Sequence, residues 1–94
     1  MITPRKIKDY IDKGQDLYEV ARWLVNTEIN KYVPMDLDDL PDTATVGSEL
    51  EAIVECLEEG DYQDAINISV DSAQLILEEE GFDLNNEWGE YSKF

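Results

Sequence analysis

The sequence predicts an all-α fold, a small bundle of about four helices. Two kinds of observation predict it. Apolar residues recur at three-four spacing through four separate segments, and cap and stop residues bracket each of them. Between two of these segments only Gly60 and Asp61 intervene, which makes an antiparallel helix-helix hairpin.

The first helix is expected over 4–13. Thr3 stands at the cap, Pro4 at the first helical position where its missing N–H costs nothing, and Gly14 at the stop. Ile7, Tyr10 and Ile11 form its apolar stripe. The second helix is expected over 17–32, opened by Asp16 with Glu19 at capping-box spacing. Its stripe is Leu17, Val20, Ala21, Leu24 and Glu28, widened by Trp23, Val25, Ile29, Tyr32 and Val33. That breadth suits a central helix, with Trp23 or Tyr32 as the alternative anchor of an interface.

Pro34 breaks the period, and residues 34–47 read as an irregular loop. Met35, Leu37 and Leu40 are expected to pin it while its Asp residues face solvent. The third helix is expected over 48–59, capped by Thr45 or by Ser48 with Glu51, with Leu50, Ile53, Val54 and Leu57 facing the core. Gly60 ends it and Asp61 caps the fourth, over 62–80. There Tyr62, Ala65, Ile66, Ser69, Val70, Ala73, Ile76 and Leu77 keep the helical period. Ile68 and Leu75 lie seven apart on another face. Gly81 stops this helix and Phe82 folds back on its last turn. Residues 1–82 thus form one domain. The tail 83–94 carries Leu84, Trp88, Tyr91 and Phe94, and is read as packed on the bundle, as an aromatic segment for a partner, or as disordered.

Charge divides this chain. Residues 1–33 carry six cations against five carboxylates, whereas 34–94 carry 18 carboxylates against Lys93 alone, for a net charge of −16 on 94 residues. A folded domain of this size exposes roughly 5,500 Å², or about one net charge per 350 Å². Such a field repels nucleic acid and anionic membranes and attracts basic protein surfaces. The 43% apolar content supports folding rather than acidic disorder. A core this small leaves room for a homodimer. The polar, charged start predicts no secretory signal, no apolar run approaches membrane-spanning length, and the single Cys56 suits a reducing, cytoplasmic location.

Several chemistries lack their residues. Histidine is absent, which removes the usual general base and metal ligand. No phosphate-cradling glycine motif is present, and a four-helix chain of this size offers little cleft for paired carboxylates, so no enzyme and no cofactor is expected. Asp36, Asp38, Asp39 and Asp42 lack the calcium-loop frame, and no metal site is expected. Arg5, Lys6, Lys8 and Lys13 are expected to attract the acidic half rather than nucleic acid.

The candidate site is the acidic hairpin at 48–80. Its residues are Glu51, Glu55, Glu58 and Glu59 on the third helix, Asp61, Asp64, Asp71, Glu78 and Glu79 on the fourth, and Trp88 in the tail. No Lys or Arg occurs between residues 32 and 92 to neutralise them. Glu58–Glu59 and Glu78–Glu80 oppose the helix dipole, at about 0.3–1 kcal/mol each, which is poor design for stability alone. The leading expectation is a non-catalytic inhibitor that presents a DNA-like surface to a basic, nucleic-acid-binding protein. The alternative is an immunity-type or adaptor module anchored by Trp23, Trp88 or Tyr91. In size, acidity and helicity the chain resembles small acidic proteins of phages and mobile elements that block restriction or CRISPR machinery. It resembles acidic helical immunity proteins in the same respects. The resemblance implies partner binding and carries no residue roles.

Overall fold

The computed structural model describes residues 2–41 and 43–82. They form four helices, α1 (Pro4–Asp12), α2 (Leu17–Ile29), α3 (Ala44–Glu59) and α4 (Tyr62–Glu79), with a short 3-10 turn at Leu37–Asp39. The all-α bundle is the fold that the periodicity predicts. α2 and α4 each pack against all three other helices. α3 and α4 lie side by side as the hairpin. α1 packs on α2 and α4 and does not reach α3.

Local chemistry sets most of the helix ends. Thr3 accepts a hydrogen bond from the Lys6 N–H at 3.2 Å, and Asp16 accepts one from Tyr18 at 3.2 Å, so α1 and α2 start where their caps stand. At Gly60 the backbone takes φ +80°, which lets Asp61 N–H reach the Cys56 carbonyl (2.9 Å) and Gly60 N–H the Leu57 carbonyl (3.2 Å). This pair of reversed bonds closes α3 and satisfies carbonyls that would otherwise be orphaned. The same pair recurs after α4, from Phe82 to Leu77 and from Gly81 to Glu78, and Phe82 is buried behind it.

Four boundaries differ from the sequence reading, the smallest being the end of α4 at Glu79 rather than at 80. α3 begins at Ala44, not at 48, because Thr43 Oγ1 accepts from Val46 N–H at 3.3 Å. The caps assigned to Thr45 and Ser48 are therefore wrong; both lie inside the helix. The extra turn buries Val46 and brings Thr45 Oγ1 to 3.2 Å from Glu79 Oε1, and those contacts outweigh the poor helix propensity of Gly47. The irregular segment is correspondingly shorter than 34–47 and contains the 3-10 turn. α2 ends at Ile29 rather than at 32. Its last turn tightens through bonds from Lys31 to Glu28 and from Tyr32 to Ile29, which still places Val33 fully inside before Pro34. α1 ends one residue early, at Asp12.

The two glycines of α3 predict opposite responses. Gly47 sits in the helix interior with nothing within 4 Å of an added Cβ, so Gly47→Ala is expected to raise stability by about 0.5–1 kcal/mol. Gly60→Ala meets no clash but must hold a positive φ, and is expected to lose about 1 kcal/mol. Urea midpoints of the two variants check both signs. A neutral Gly47→Ala would contradict the early start of α3.

The core is continuous. Ile7 enters from α1; Val20, Ala21, Leu24, Val25 and Ile29 come from α2; Leu50, Ile53 and Leu57 from α3; Ala65, Ala73, Ile76 and Leu77 from α4. Leu37 and Leu40 are buried and Met35 packs against the core, so the loop is pinned as its apolar residues predict. Val54 is only half-buried. Glu28, on the core-facing stripe of α2, is nearly buried and paired with Lys31 at 3.0 Å. No helix among the described residues is long and apolar enough to cross a membrane.

Candidate functional site

The acidic residues of α3 sort by helical angle. At about 100° per residue, Glu51, Glu55, Glu58 and Glu59 fall within about a quarter-turn of one another, on the side away from Leu50, Ile53 and Leu57. All four are exposed. On α4, Asp64, Asp71 and Glu78 are also exposed and stand seven apart, about 10.5 Å along the axis, drifting only about 20° per step. Asp61 is exposed at the hairpin turn. None of these eight side chains makes an ion pair or a side-chain hydrogen bond among the described residues. Each row therefore faces away from the buried stripe of its own helix, and Glu55, Glu59, Asp61 and Asp64 stand close enough together to act on Cys56.

Two other hairpin carboxylates are engaged. Glu49 is half-buried and accepts a bond from Ser72 Oγ at 3.0 Å, and Glu79, although exposed, accepts from Thr45. These contacts mark the α3–α4 seam. Continuing the same stripes along each helix places half-buried Ala52, Cys56 and Ile68 and exposed Leu75 between the two acidic rows. Leu75 is 43% exposed, a large apolar side chain in an otherwise charged surface. Trp88 lies outside the described residues, as do Leu84, Tyr91, Phe94 and the tail boundary.

Cys56 reports the field of this surface. Its thiol pKa is raised, first by partial burial and then by the charges of Asp64, Asp61, Glu59 and Glu55. Less thiolate at a given pH means slower alkylation, since the thiolate is the nucleophile. Cys56 is expected to react with iodoacetamide several-fold more slowly than a free thiol at pH 8. Added salt should narrow that gap by screening the carboxylates. A rate equal to that of the free thiol at low salt would contradict the placement of those charges.

The cations of the first 33 residues make only local or loop ion pairs among the described residues. Lys8 pairs with Asp12 on its own helix at 3.3 Å, and Arg22 pairs with Asp38. No ion pair among the described residues joins α1 to α3 or α4. α1 does not reach α3 but packs on α4, with Pro4 beside Asp61 and Asp64, so the basic helix lies apart from the acidic row of α3 and against the start of α4.

The Asp-rich loop serves the backbone. Asn26 Oδ1 accepts from Leu37 N–H at 2.8 Å, Asn30 Nδ2 donates to Asp36 at 3.0 Å, and Asp39 accepts from Asp36 N–H at 3.2 Å. Asp36 and Asp38 thus tie the loop to α2 through Asn30 and Arg22, Asp39 braces it from within, and Asp42 lies outside the described residues. No group of three or more metal-ligating side chains is assembled among the described residues.

Aromatic residues supply what the sequence reading placed only in part. Tyr32 is half-buried and its hydroxyl accepts from Gln74 Nε2 at 2.9 Å, a structural tie between α2 and α4. Trp23 is half-buried on the outer side of α2 and meets Tyr10 edge to face, with ring centroids 4.6 Å apart and planes at 75°. Tyr10, expected on the apolar stripe of the first helix, is 39% exposed. Their pairing joins two helices and has no signal in local periodicity.

No known family, no curated protein and no solved structure matches this chain.

Proposed function

We propose that the protein binds a basic, nucleic-acid-binding protein through the outer face of the α3–α4 hairpin, and inhibits it by occupying the surface that otherwise holds phosphates. One observation carries this reading. Residues 44–80 contain eleven carboxylates and no Lys or Arg, and eight of those carboxylates project outward from two packed helices. The α4 row repeats at about 10.5 Å along one face, so its carboxylates are held at a fixed spacing on a rigid element. Rigid helices hold these charges in place before binding, so little ordering entropy opposes association. The mechanism is charge display and needs no catalytic residue. The setting it implies is inside a cell, against restriction, CRISPR or comparable DNA-handling machinery.

A partner captured from lysate on immobilised protein should be displaced by excess duplex DNA, and its affinity should fall steeply with salt. A partner retained against both would overturn mimicry. Retention would favour the second reading, an immunity-type or adaptor module, for which the half-buried Trp23 and the exposed Tyr10 and Tyr18 are the supporting observation.

A further inference from the structure

We infer that the corner between Tyr10 and Trp23 binds the head of an organic cation, an ammonium carrying apolar substituents. This site is separate from the acidic hairpin and stands whether or not that surface mimics DNA.

A pocket of about 250 Å³ opens between α1 and α2, lined by Tyr10, Gln15, Glu19, Val20 and Trp23. Tyr10 and Trp23, which meet edge to face at 75°, both line it. Aromatic faces carry negative quadrupole potential and attract cations. Glu19 stands one turn before Trp23 on the same edge of α2 and adds a full negative charge. Its carboxylate makes no ion pair or hydrogen bond among the described residues. Val20 is buried and closes the floor with apolar surface.

Each feature narrows the ligand. Negative ring faces and a carboxylate disfavour anions. One carboxylate with one amide falls short of the six to eight oxygens that calcium takes. The volume lies below the roughly 300–1,000 Å³ of pockets for drug-sized molecules, so a head group fits rather than a whole ligand. An apolar floor beside two rings suits methyl groups better than a bare, strongly hydrated ammonium. Lys6 and Lys13 lie with Asp9 around another side of Tyr10 and do not line this corner.

The test uses choline and its neutral carbon isostere, 3,3-dimethyl-1-butanol, titrated into the ¹⁵N-labelled chain. The Trp23 Nε1–H signal, assigned by its loss in Trp23→Phe, should shift and saturate with choline and stay put with the isostere. Glu19→Gln and Tyr10→Leu should each weaken binding about fivefold to tenfold, whereas Tyr10→Phe keeps a ring and should restore it. Glu19 and Tyr10 are both exposed, so these variants are expected to keep the fold, and unchanged helical circular dichroism checks that. A peptide bearing trimethyl-lysine distinguishes the source of the cation. Tenfold tighter binding than choline assigns the site to a protein side chain, and equal binding assigns it to a free small molecule. Equal shifts with the isostere, no saturation with choline, or full affinity in folded Tyr10→Leu would overturn the inference.

Discussion

Reversing Asp64, Asp71 and Glu78 together to lysine is expected to weaken partner binding by a hundredfold or more while leaving the fold intact. The three carboxylates stand in one row on α4, exposed and without side-chain partners among the described residues. Each contributes about 1 kcal/mol or less as a surface pair, and reversal replaces attraction by repulsion of similar size. At about 0.5 kcal/mol lost and as much repulsion gained at each site, three reversals sum to about 3 kcal/mol, which is more than a hundredfold in Kd. Stability should rise or hold, because three like charges leave a crowded surface. Asp9→Lys on α1 is the control and should change affinity little. Biolayer interferometry with the captured partner reads the affinity, and thermal circular dichroism reads the fold. Unchanged affinity in the triple variant would end the charge-display reading.

Leu24→Ala is expected to cost about 3 kcal/mol, the largest single-residue loss in stability anticipated for this chain. Leu24 is 1% exposed on α2, one of the two helices that touch all the others. Truncation there leaves a cavity that no single neighbouring helix can collapse to fill. A domain of this length has about 5–14 kcal/mol in total, and self-repulsion draws on that margin. The expected Tm drop is about 10–20 °C. Leu75→Ala removes the same atoms from a side chain that is 43% exposed, and should cost under about 1 kcal/mol. Urea unfolding of the pair at fixed ionic strength compares them directly. Similar losses at both positions would contradict the burial of Leu24 between the helices.

Legibility in the sequence followed the range of the forces involved. The starts of α1 and α2 and the end of α3 were readable because a cap or a left-handed glycine acts within a few residues. The start of α3 was misplaced because its extra turn is stabilised by contacts distant in sequence, Val46 in the core and Thr45 on Glu79. Gly47 and Ser48 look like a boundary when only neighbours are counted. Glu28 fitted the apolar stripe of α2 by spacing alone, and its near-burial follows from Lys31 standing within reach.

The candidate site divides in the same way. That Asp64, Asp71 and Glu78 share a face is helical arithmetic and needs no tertiary information. That Glu49 and Glu79 bond to the opposite helix, leaving their neighbours free, depends on the register of α3 against α4.

The sequence by itself determined the helical class, the hairpin and the excess of negative charge, because periodicity, capping and composition are local or additive. Tertiary structure alone decided that the basic α1 packs on α4 and not on α3, and that Tyr10 meets Trp23. Those outcomes depend on how buried faces compete for partners, and that competition is settled only when all four helices pack at once.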